Sequence, residues 1–81
     1  LPKYSNMPNV WYDLAELRGL AGDTGGVHMA RAEYFILNGV FDKARQQLMY
    51  ALQFYERDYL HSSRIKERLR ELAAMESQSL D

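Results

Sequence analysis

A chain of 81 residues makes one small domain, and a domain of that size buries only about 60–65% of the surface its unfolded chain exposes. Ten basic and eleven acidic side chains leave a formal charge of −1, so no overall field draws in nucleic acid or an anionic membrane. Cysteine is absent, which excludes a disulfide framework and a thiolate metal site, while a hydrophobic share of 47% argues against disorder.

No run reaches the roughly 18 apolar residues of a membrane span, and no signal-peptide pattern opens the chain. A start at Leu1 rather than Met predicts a piece of something longer, so the missing leader assigns no compartment.

The first expected helix runs over 9–21. Pro8 suits its first turn, and Asn6 or Asn9 is placed to cap it. Trp11, Leu14, Ala15 and the stem of Arg18 fall on one face, and Gly22 is a good left-handed stop. The second runs over 26–38, with Thr24 as its cap. Met29, Ala32, Phe35 and Ile36 line one side of it, and Val27, Ala30, Tyr34 and Leu37 line another. Two apolar sides suit a helix flanked by two neighbours.

The third expected helix runs over 41–55, with Phe41, Ala44, Leu48, Ala51, Leu52 and Tyr55 as its stripe and Asp42 suiting the dipole at its start. The fourth runs over 59–75, capped by Asp58, with Ile65, Leu69, Leu72 and Ala73 turned inward. Arg64, Lys66, Glu67, Arg68, Arg70 and Glu71 make a mixed-sign solvated face, and residues 77–81 are expected to fray. No stretch alternates apolar and polar residues for long. The expected fold is a single all-α domain over 1–81, with antiparallel helix hairpins joined by connections of about 2–4 residues.

A small residue set opposite a large one lets two helix backbones approach closely. Ala32, Phe35, Gly39, Phe41, Ala44, Leu48 and Ala51 follow that plan, and the set resembles the tetratricopeptide (TPR) signature, a helix–turn–helix unit of about 34 residues. Trp11, Leu14, Ala15 and Gly22 resemble the start of another unit. The pattern departs from the signature at His28, Arg31 and Arg18, which stand where large apolar residues are preferred, and at Glu56, near which a closing proline is missing. The second helix fits either as the back of one unit or as the front of the next.

VWYDLAELRGLAGD, VHMARAEYFILNGVFDKARQQLMYAL and DYLHSSRIKERLREL, in that order, resemble the C-terminal TPR region of bacterial zinc metallopeptidases of the beta-barrel assembly-enhancing type. The resemblance implies a periplasmic parent whose protease domain carries the zinc. It also implies that this region docks substrates or outer-membrane assembly partners and touches the protease domain.

These residues carry no protease motif of their own. H-E-x-x-H needs two histidines one helical turn apart around a glutamate. His28 is followed by MARA and His61 by SSRI, and no third histidine exists. No cofactor and no metal ligand is expected within the chain. His28 reads first as a partly buried histidine hydrogen-bonded near the glycine-rich loop, and second as a contact to a protease domain. GDTGG follows no strand and precedes no lysine, so it reads as an inter-helix turn rather than a phosphate loop. Glu67 and Glu71 interrupt the arginines of the last helix, which therefore read as a solvated surface rather than a nucleic-acid patch.

Tyrosines outnumber what so small a core can bury. If the first and third helices line a concave side, Tyr12, Glu16, Gln46, Tyr50 and Gln53 face a protein or peptide segment. Two classes of function fit. An interaction module cut from a larger protease predicts exposed apolar surface on the first helix, with self-association through it. A free-standing helical adaptor predicts a closed, polar first helix.

Overall fold

The computed structural model describes residues 6–79, which form four helices: α1 (Pro8–Leu20), α2 (Thr24–Leu37), α3 (Phe41–Phe54) and α4 (Tyr59–Ser79). No strand occurs among them. The connections at 21–23, 38–40 and 55–58 are too short for anything but a reversal, so successive helices stack as antiparallel hairpins in a solenoid-like array. The body measures 40 × 28 × 20 Å, a slab in which every helix keeps an open side.

Glycine ends the first two helices in the same way. Gly22 and Gly39 have φ of 78° and 73°, a region where a Cβ is strained. After each, an N–H turns back into the last helical turn: Asp23 donates to the Arg18 carbonyl at 2.8 Å, and Val40 to that of Phe35 at 2.9 Å. These bonds satisfy carbonyls that a helix end otherwise leaves orphaned.

The starts are less uniform. Pro8 opens α1, but Met7 stands at the cap position and makes no side-chain cap bond, so neither Asn6 nor Asn9 takes the expected role. Proline brings no N–H, which leaves one donor fewer to satisfy there. At α2 the cap is Asp23 rather than Thr24. Its Oδ1 accepts the Gly26 N–H at 3.0 Å, and Thr24 is already helical. Asp58 caps α4 as expected, with Oδ1 accepting the His61 N–H at 3.1 Å.

Alanines set the spacing of the core. Ala32, Ala44 and Ala51 are fully buried, together with Leu48, Ile65 and Leu72. Phe35, Phe41, Leu52, Tyr55, Leu69 and Met75 close around them. Ala15 and Ala30 are buried apart from this cluster, where α1 meets α2, so α2 spends both of its apolar sides. The residues that carry the repeat resemblance are thus packing residues: Trp11, Leu14, Phe35 and Phe41 are half-buried, and Gly39 makes the turn.

α4 departs from expectation at its end. It runs to Ser79, four residues beyond Met75, and residues 77–79 are helical; 80 and 81 lie outside the described residues. Ala73 faces solvent, whereas Met75 and Glu76 are half-buried. The inward stripe of Ile65, Leu69 and Leu72 continues one turn on at 75 and 76, as helical periodicity requires. There Glu76 accepts from Arg45 of α3.

Candidate functional site

An ion-pair fork ties α4 to α2. Arg68 forks onto Glu33, with Nε 2.9 Å from Oε2 and Nη2 2.6 Å from Oε1, and also reaches Glu71 at 3.1 Å. Both partners are largely covered, and the Glu33 bonds hold the Arg68 guanidinium more firmly protonated than usual. A planar two-bond fork fixes orientation as well as distance.

The elbow between α3 and α4 is set by rings. Tyr55 stacks on His61 with centroids 4.2 Å apart and planes 10° from parallel. His61 Nδ1 lies 2.8 Å from the Asp58 carboxylate, which also caps the helix. Hydrogen bonds from the His61 N–H and ring lower the Asp58 pKa. The Tyr55 ring rests against Gly25, where a Cβ would come within 2.5 Å of the ring and of the hydroxyl oxygen. Burial, with Asp23 nearby, pushes the Tyr55 phenol up. The GDTGG turn is therefore a seat for an aromatic ring, and the carboxylate beside it is committed. Asp23 takes the Gly26 N–H and the Arg18 guanidinium at 2.9 Å; chiefly the former, against a cost of desolvation, lowers its pKa.

Between these fixtures lies a groove of about 850 Å³. α2 is its floor, α1 one wall and α4 the other. Trp11, Leu14, Met29 and Leu37 supply apolar surface, and Arg18, Asp23, Glu33, Arg68 and Glu71 form a paired polar rim. Arg64 also stands on that rim, exposed and without an ion pair among the described residues. The rim's three arginines balance its three carboxylates, and Arg64 is the one of these arginines not held in an ion pair, so the groove suits a peptide with apolar side chains and a carboxylate that can reach Arg64.

The five residues expected to face a ligand do not line this groove, whose lining comes largely from α1, α2 and α4 with Leu48 of α3. Tyr12 is exposed and sets its ring 5.6 Å from that of Tyr34; Glu16 and Gln46 are exposed elsewhere. Tyr50 and Gln53 share a shallow notch of about 450 Å³ with Thr24, His28 and Phe54. His28 is half-buried and joins α2 to α3: its Nδ1 donates to Gln47 Oε1 at 2.7 Å, and its ring lies 5.3 Å from that of Tyr50.

His61 and Arg64 are the groove residues that periodicity does not announce. The signal for them was Asp58-x-x-His61, a cap spacing that fixes where α4 begins and so which side chains face α2.

Among the described residues no three His, Cys, Asp or Glu side chains cluster as metal ligands, and no helix is long and apolar enough to cross a membrane. No family model, curated protein or solved structure matches this chain.

Proposed function

We propose that this chain is a protein-interaction module that holds a peptide segment of a partner in the groove between α1, α2 and α4. The observation that carries the proposal is the groove itself: an apolar floor with Trp11 in one wall and an unpaired Arg64 at its rim. Leu17 and Leu20, 64% and 87% exposed on α1, add support, since the outer side of that helix offers apolar surface to a neighbouring segment.

The finer proposal follows the residue resemblance alone. The module then belongs to a periplasmic zinc-dependent protease, presents substrate or outer-membrane assembly partners to it, and performs no catalysis itself.

Trp11 is the sole tryptophan, so groove occupancy has an optical reporter. Peptides selected from a random displayed library on the 81-residue chain should be apolar with an acidic residue, and should shift Trp11 emission. Arg64→Glu should weaken them about tenfold, while Gln46→Ala should not. Selected peptides that ignore Arg64→Glu and leave Trp11 emission unchanged would overturn the proposal.

A further inference from the structure

From Gln46 to Phe54, the last nine residues of α3 carry no charge. The outward side of this stretch consists of Gln46, Met49, Tyr50, Gln53 and Phe54, all exposed; Met49 is exposed by 47%, Tyr50 by 43% and Phe54 by 54%. A solvated helix face normally carries charges among its polar residues. Thioether, aromatic ring and amide without charge is the composition of an interface centre.

The charges stand at the two ends of this face. Asp42 and Lys43 lie in the first turn of α3, and Glu56 and Arg57 follow just past its last, all four exposed. Glu56 and Arg57 have no ion pair among the described residues. Among the described residues the Lys43 ammonium meets the Phe35 ring alone, 5.8 Å from its centroid. Asp42 holds Arg45 at 3.2 Å, and Arg45 is also engaged by Glu76.

We propose that the occupant of this face is a second copy of the chain, with the two α3 helices antiparallel about a two-fold axis between Met49 and Tyr50. Charge fixes the register. With Met49 of one copy level with Tyr50 of the other, Gln46 stands level with Gln53, Lys43 with Glu56 and Asp42 with Arg57, and the symmetry makes each pair twice. A shift of one helical turn either way, the smallest that keeps the same sides facing, breaks both charge pairs, so the register with the uncharged centre aligned is also the one with complementary ends. The face is one helix of 14 residues, about 21 Å long, which places the contact among weak, transient interfaces with micromolar dissociation constants.

Sedimentation equilibrium on the 81-residue chain, from micromolar to millimolar, should show a monomer–dimer equilibrium. Lys43→Glu and Glu56→Lys should each weaken it by about tenfold, and the two together should restore it. All these positions are exposed, so circular dichroism should report an unchanged fold. Because the chain has no cysteine, Gln46→Cys/Gln53→Cys introduces the only thiols. Mild oxidation should join two chains of that double variant rapidly, and chains of Gln46→Cys alone slowly, since position 46 stands opposite 53 and not opposite itself. A monomer throughout, charge variants without effect, equal cross-linking by Gln46→Cys alone, or association abolished instead by Leu20→Asp would each overturn the proposal.

Discussion

Gly25→Ala should destabilise the fold, although alanine is the better helix former. Gly25 is the second residue of α2, where the exchange gains about 0.5 kcal/mol of helix propensity. The new methyl, however, would lie 2.5 Å from Tyr55 Cε2 and from its hydroxyl oxygen. The ring cannot yield freely, because it stacks on His61 at 4.2 Å and packs against the core. Overpacking of this kind costs about 1–3 kcal/mol, so the net loss should be about 0.5–2.5 kcal/mol. For a domain this small, that is a drop in Tm of roughly 2–20 °C. Urea unfolding followed at 222 nm measures it, and a cycle with Tyr55→Ala isolates the cause. With the ring gone, Gly25→Ala should become stabilising by about 0.5 kcal/mol. If Gly25→Ala stabilises the parent chain, or costs the same with and without Tyr55, the glycine is not a seat for that ring.

Ala51→Trp or Ala44→Trp should cost about 1–3 kcal/mol or more, because both sites are fully closed; a Tm within a degree or two of the parent would contradict the packing described. Arg68→Met should cost about 1–2 kcal/mol by leaving the half-buried Glu33 carboxylate without its fork, and Arg68→Met with Glu33→Leu should recover most of it, as read by urea midpoints. Asp23 and Asp58 both have depressed pKa values in the folded state, so their contribution is present above about pH 4 and is lost as pH falls through the folded values. Stability measured down a pH series should fall in that window, and Asp23→Asn with Asp58→Asn should flatten the fall. An unchanged slope in that double variant would remove the two caps from the account.

Much of this architecture is legible in the order of residues, because its causes are local. Gly22 and Gly39 end helices by backbone sterics, and Ala44, Leu48 and Ala51 declare a closely packed side through their spacing. Local signals fail where two residues compete or where distant ones decide. Thr24 and Asp23 are both competent caps. Asp23 takes the role because one carboxylate oxygen reaches the Gly26 N–H while the other is held by Arg18 from the preceding helix. The last turns of α4 carry Glu76, which Arg45 meets from a different helix. The groove escapes the sequence for the same reason: Glu33 and Arg68, 35 residues apart, meet at its rim. Tyr12 and Tyr50 are conspicuous as residue types, but type does not say which helices become neighbours.

The main cluster of buried side chains draws on α2, α3 and α4 but not on α1, whose own buried residue is a single alanine. Amide exchange should therefore find α1 opening first, by a local fluctuation that leaves the other three helices protected. That helix is also the wall that carries Trp11. Whatever settles beside it must hold the wall in place as well as fill the gap, so occupancy and the docking of α1 become one equilibrium. The width of the cleft then belongs to its guest as much as to the chain.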